Sequence, residues 1–288
     1  MNTNQRNDSI LIFGLPESGK TTFLGALSYL MQASEVDTSL KHAGLPRERA
    51  YMNRLSQRWC MCEPMERTRI NEEESVTLHF SKDGNTIGIT FPDLSGEAWL
   101  QMWGNHQCTE EFVKMTNNAS ALILFIHADS IKKPLSVVDF QSMVEALGST
   151  NDPEVNVDPV PWDATSHTPT QVMLVALLQL LARPPMGSTN PKVAIVLSAW
   201  DKILDDVCPE EFLQDEMPLL YQYLSSGFDY HDWKAFGVSA QGGDLSNGEK
   251  SEKEKLLSFD QQSERIIVQD CADTTHDLTT ILEWTLKL

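Results

Sequence analysis

The sequence predicts an α/β fold: a doubly wound, mostly parallel six-stranded sheet with helices on both faces. Three observations predict it. An apolar run, Ser9 to Phe13, feeds a glycine-bearing turn that opens straight into a helical stretch, Thr22 to Leu30. Two further apolar runs, Ala121 to Ile126 and Val193 to Leu197, have the make-up of strands covered on both faces. Helical patterns alternate with these runs, the order a parallel sheet requires.

The remaining elements follow in order. Arg47 to Trp59 reads as a second helix, and Cys62 to Arg69 as an irregular loop. Ser75 to Phe80 alternates like a half-buried strand, Lys82-Asp83-Gly84-Asn85 is a turn signal, and Thr86 to Phe91 returns as its hairpin partner. A long excursion, about 130–190, carries a Pro/Asp-rich loop from Asn151 to Pro169 and then a strongly apolar helix, Gln171 to Leu181. A shorter strand at Ala235 to Val238 and an apolar-faced helix at Leu278 to Leu286 close the chain. A polar insertion, about 244–262, is centred on Gly248 to Lys255 and is expected to be a mobile surface segment. There is no internal repeat.

Composition narrows the function. The chain has 288 residues, 41% of them apolar and 22% charged, as in a soluble globular protein. No apolar run approaches a membrane span, and with a functional loop beginning at Gly14 no leader is expected. With 41 acidic against 22 basic residues the formal net charge is −19. That balance repels nucleic acid and anionic lipid, and suits a basic protein partner or simple solubility. Five cysteines (Cys60, Cys62, Cys108, Cys208 and Cys271) form no paired framework and no zinc spacing, so reduced thiols in the cytoplasm are expected.

Gly14-Leu15-Pro16-Glu17-Ser18-Gly19-Lys20-Thr21 matches the phosphate-loop pattern G-x-x-x-x-G-K-[ST] without a gap. A strand, this turn and a helix aim successive backbone N–H groups and the positive helix end at one point. Gly14, Glu17, Ser18, Gly19, Lys20, Thr21 and Thr22 are therefore candidate nucleotide contacts. Lys20 reaches toward the β- and γ-phosphates, and the Thr21 hydroxyl toward Mg²⁺.

A phosphate loop alone fits kinases, ATPases and GTPases alike. Three later segments, each at a strand end, separate them. Asp93-Leu94-Ser95-Gly96-Glu97 has the pattern D-x-x-G, in which Asp93 can hold Mg²⁺ through water and the Gly96 N–H can sense a γ-phosphate. Ser198-Ala199-Trp200-Asp201 follows the strand at 193–197, and a carboxylate there can accept from guanine N1–H and its exocyclic amine. Adenine would set acceptor against acceptor, which a buried polar site rejects strongly. Val238-Ser239-Ala240-Gln241 ends the last strand, where a backbone amide can donate to the base carbonyl.

In this order the set resembles the G domain of the translation-factor-related class that includes the Ras-like GTPases. The finer resemblance is to bacterial double-GTPase proteins, predicted components of multi-gene signalling or conflict systems. It is carried by Arg67-Thr68, Asp93 to Glu97, Thr168 to Gln171, Ser198 to Asp201, Pro218 to Leu224, Gly237 to Gly243 and Asp277 to Thr279, which span nearly the whole chain. The resemblance implies a single G domain over 1–288, a GTP/GDP switch with Mg²⁺, and a protein partner. Thr68 is the expected switch threonine, reaching Mg²⁺ and γ-phosphate, with Thr38 as the competitor. Arg67 beside it could act on the phosphates in cis or be a solvated loop residue.

The chain also departs from the Ras-like pattern. Ser198 and Ala199 stand where Asn-Lys is usual, so Trp200 or Lys202 is left to cover the base, unless Trp200 belongs to the core. Glu97 replaces a water-orienting Gln, which implies slow intrinsic hydrolysis, and Pro16 and Glu17 alter the phosphate loop. Two other readings stay open on the residues: an ATPase or kinase-like protein, and a catalytically weak interaction scaffold. Self-association is not legible.

Overall fold

The computed structural model describes residues 5–44, 48–65, 74–93, 96–134, 138, 161, 163–187, 190–203, 207–245 and 250–288. Its strands are β1 (Gln5–Phe13), β2 (Lys41–Gly44), β3 (Glu74–Lys82), β4 (Asn85–Asp93), β5 (Ala121–His127), β6 (Lys192–Ser198), β7 (Trp233–Ser239), β8 (Ile267–Gln269) and β9 (Thr274–Thr275). They join one sheet in the order β2-β3-β4-β1-β5-β6-β7-β8-β9. The five central strands, β4-β1-β5-β6-β7, are parallel, with registers such as Phe13 opposite Leu124 and Leu124 opposite Ile195. The flanks, β2-β3-β4 and β7-β8-β9, are antiparallel.

Helices cover both faces because each central strand presents apolar residues to both sides. Ile10, Ile12, Ile123, Phe125 and Val196 face one layer, built on α1 (Lys20–Ala33), α2 (Arg49–Cys60) and the last helix. Leu11, Phe13, Leu124, Ile126 and Ile195 face the other. That layer holds α3 (Gly96–Asn105), α4 (Glu110–Asn117), α6 (Thr170–Leu181), α7 (Pro209–Glu216) and α8 (Pro218–Ser225). A short α5 (Ala164–His167), α9 (Lys250–Leu257) and α10 (Thr279–Leu286) complete the described helices. Trp99 anchors α3: its fully buried ring lies 5.3 Å from Phe13 and 5.1 Å from Phe112. Truncating such a ring to alanine costs about 3–5 kcal/mol.

The doubly wound parallel core is as the sequence predicts, but the sheet has nine described strands where six were expected. The extra three, β2 at one edge and β8 and β9 at the other end of the sheet, have four, three and two residues. Segments that short carry no readable period. The polar stretch about 244–262 contains α9, which buries Leu256. Two family segments far apart in sequence meet at the start of α6 and α8, where the Leu219 N–H donates to the buried Gln171 Oε1 at 2.8 Å.

Cys208 and Cys271 are joined as a disulfide with Cα atoms 4.9 Å apart, against the expectation of reduced thiols. Sequence spacing gives no hint of it, because Cys208 precedes α7 and Cys271 follows β8, and only the fold brings them together. No helix among the described residues is long and apolar enough to cross a membrane.

Candidate nucleotide-binding site

Parallel strands place their carboxyl ends at one edge of the sheet, so the turns after β1, β4, β6 and β7 meet there. The turn after β1 is the phosphate loop. Gly14 (φ 150°) lies so close to β5 that an added Cβ would sit 2.4 Å from the Phe125 carbonyl oxygen. Glu17 (φ 60°) and Gly19 (φ 89°) have left-handed backbones that wrap the loop toward α1. Gly19 offers α1 no side-chain cap, so the first-turn N–H groups point at the loop. Lys20 is nearly buried and turns back over the loop. Its Nζ donates to the carbonyls of Gly14 and Leu15 and to Ser18 Oγ, each at 3.0 Å. Thr21 and Thr22 follow in the first turn of α1, both half-buried.

The turn after β4 closes on the same loop. Gly96, the first residue of α3, abuts Pro16 so tightly that a Cβ would lie 2.4 Å from the Pro16 Cα and N. Asp93 ends β4 and Glu97 sits in the first turn of α3, but the side chains of both lie outside the described residues. Arg67 and Thr68 lie outside them altogether. Thr38, the competitor for the switch role, is buried. Its Oγ1 donates to the Leu40 carbonyl at 2.7 Å, while Ser39 and Leu40 N–H groups donate to Asp277 Oδ2 and Thr279 Oγ1. The two residues that follow it are thus latched to Asp277 and Thr279, which gives that segment a structural role.

After β6, Ala199 adopts a left-handed backbone (φ 55°, ψ 39°), uncommon for a residue with a Cβ. The turn it makes exposes Asp201. Ser239, at the end of β7, donates its hydroxyl to Asp201 Oδ1 at 2.5 Å and accepts the Gly242 N–H at 3.1 Å. One cleft runs between this turn and the phosphate loop. Glu17, Gly19 and Thr22 line one side, and Ser198, Ala199, Asp201, Lys202, Ala240 and Gln241 the other. Gly14, Ser18, Lys20 and Thr21 do not line it.

Trp200 is a correction. Its ring is buried against Gly237 and Phe212, and its Nε1 donates to Gln269 Oε1 at 2.6 Å. It is core and does not line the cleft. Lys202 does line it, held by Asp129 at 2.9 Å and Asp244 at 3.0 Å, whose hydrogen bonds push its pKa above the ordinary value.

Sequence reading missed the floor of this cleft. Phe125 and His127 line it from the carboxyl end of β5, the strand beside β1. Burial, and then the Lys202 charge, hold the His127 pKa below its usual value, so the ring is neutral at pH 7. Its Nδ1 is buried with no hydrogen-bond partner among the described residues. The signal that could have found them was topological: a fold of this class puts ligands at every central strand's carboxyl end.

Together these features define a phosphate-loop nucleotide-binding protein whose second turn places a carboxylate over the far end of the cleft. More particularly, residues 11–285 match the Double-GTPase 1 family, and the chain belongs to it. No curated protein matches the chain. Among solved structures it is similar to the Arl6 BBS3 small GTPase from Trypanosoma brucei, with 10% identity, covering 88% of this chain and 98% of that one, TM-score 0.38. It is also similar to the Ski7 GTPase-like domain of S. cerevisiae, with 14% identity, covering 87% of this chain but 46% of that one, TM-score 0.43.

Proposed function

We propose that this protein is a GTP-operated switch that hydrolyses GTP slowly and signals to a protein partner. One observation carries the reading: Asp201, oriented by Ser239, and the phosphate loop line the same cleft. A purine seated there would set its N1–H and exocyclic amine against the Asp201 carboxylate, with the Ala240 and Gln241 backbone N–H groups beside its carbonyl. Its phosphates would lie along the loop, where N–H groups and Lys20 neutralise them. At a net charge of −19 the overall field gives no help, so these local groups do the binding.

Thr21, Asp93 and Thr68 would hold Mg²⁺, as hydroxyl and carboxylate oxygens suit a hard cation, and the ion would offset charge on the β- and γ-phosphates. The close approach of Gly96 to Pro16 sets the α3 N-terminus where it can sense a γ-phosphate. Glu97 can take a proton from water but cannot donate to a phosphate oxygen, so turnover is slow until a cation arrives. Such a cation is worth roughly 10³–10⁵ in rate, supplied by a partner or by Arg67. The output is a changed surface over Thr68 and over 93–103, read by a protein partner in the cytoplasm.

Chromatography of the nucleotide released from purified protein tests this. GDP is expected. ADP would point to an ATPase or kinase-like protein, and an empty protein without nucleotide affinity to an interaction scaffold.

A further inference from the structure

The turn that meets the base is held from behind by a helix that does not touch the cleft. Trp59, in the last turn of α2, is fully buried, and its Nε1 donates to the Ala240 carbonyl at 2.7 Å. The Trp59 carbonyl in turn accepts from Gln241 Nε2 at 3.4 Å and from Arg265 Nη2 at 3.2 Å. The Arg265 guanidinium stacks 4.2 Å above the Trp59 ring, and Tyr29 packs against that ring at 4.8 Å. Arg265 is itself only 2% exposed. It also donates to Cys62 Sγ at 2.6 Å and to the Gln262 carbonyl at 3.3 Å, and its charge acts on the Glu35 carboxylate, to which the Tyr29 hydroxyl donates.

A buried cation is costly unless it is paired and hydrogen-bonded, so its partners are held in place. Here it fixes one indole, and that indole fixes one peptide group of the turn after β7. We infer that Trp59 is a positioning residue for base recognition. Its N–H pins the Ala240 carbonyl away from the cleft, so that the Gln241 N–H of the same peptide group faces the purine carbonyl. This rests on the guanine-site reading above and names a residue that the reading does not require. Trp59 is absent from the cleft lining, so the loss of its N–H reaches the base through Ala240.

The test compares GDP with 6-thio-GDP, which keeps N1–H and the amine but offers a poor acceptor in place of the carbonyl oxygen. Trp59→Phe removes the N–H and keeps an aromatic ring. Calorimetry should show GDP affinity about five- to tenfold weaker, the worth of one hydrogen bond, with the GDP preference over 6-thio-GDP falling toward one. Tyr29→Phe disturbs the same packing and should keep the wild-type preference. Unchanged affinity and preference in Trp59→Phe overturns the inference alone, whereas wild type that binds no guanine nucleotide overturns the guanine reading as well. Should Trp59→Phe fail to fold, hydrogen exchange on wild type decides. GDP should protect residues 52–62 together with 236–243, and less so 6-thio-GDP. Protection confined to 236–243 contradicts the inference.

Discussion

Ser239 and Asp201 end neighbouring strand turns and share a hydrogen bond of 2.5 Å, so the carboxylate that faces the cleft is aimed from the floor of the next turn. The same Ser239 oxygen accepts the Gly242 N–H, which leaves its proton for Asp201. Ser239→Ala removes the aim and leaves the charge. A hydrogen bond to a charged group is worth about 1.5–3 kcal/mol, so GDP affinity should fall about ten- to a hundredfold in calorimetry, with ATP binding unaffected.

Gly96→Ala places a Cβ 2.4 Å from two backbone atoms of Pro16. Backbone cannot move aside as a flexible side chain does, so α3 or the phosphate loop must shift. A lower melting temperature together with weaker GTP binding is expected, and the GTP loss should exceed the GDP loss because Gly96 stands at the γ-phosphate end.

Lys20→Ala should abolish measurable triphosphate binding. The Nζ now serves three oxygens of its own loop, so the variant also leaves two carbonyls without that donor. Circular dichroism should nonetheless report a folded protein, since Lys20 itself belongs to neither apolar core.

His127 gives the expected pH dependence. Burial and Lys202 lower its pKa, against the smaller opposing pull of Asp129, Asp201 and Asp244. The unfolded ring takes a proton at about pH 6.5, the folded ring only at lower pH. Between the two the unfolded state holds more protons, so stability is complete above about 6.5 and declines as pH falls below it. Urea denaturation at pH 7.5 and 5.5 should show this loss in wild type and a smaller one in His127→Gln.

Cys208 and Cys271 close a loop with a sequence separation of 63. Loop-closure entropy puts such a link at about 4 kcal/mol. A reductant should lower the melting temperature of wild type, Cys208→Ser should match the reduced protein, and the reductant should then have no further effect.

Much of this molecule was legible beforehand, for identifiable reasons. The central strands are continuous apolar runs because both faces are covered, and the Gly14-to-Thr21 loop is readable because its glycines answer to backbone demands. Trp200 misled because its neighbour Asp201 belongs to the cleft, while a turn in sequence rotates adjacent side chains to opposite sides. Thr38 stayed a competitor to Thr68 because a loop threonine before a hairpin fits two roles, and its burial beside Ser39 and Leu40, which bond Asp277 and Thr279, is a tertiary fact. Phe125, His127, Trp59 and the Cys208–Cys271 link were invisible because each depends on which strands become neighbours, and no local pattern records that.

The most direct test of the central claim is calorimetric titration of GTP, GDP and ATP, with Mg²⁺, into wild type and Asp201→Ala. Guanine nucleotides should bind wild type far more tightly than ATP, and Asp201→Ala should lose that preference. Equal or tighter ATP binding, indifferent to Asp201→Ala, would contradict the account.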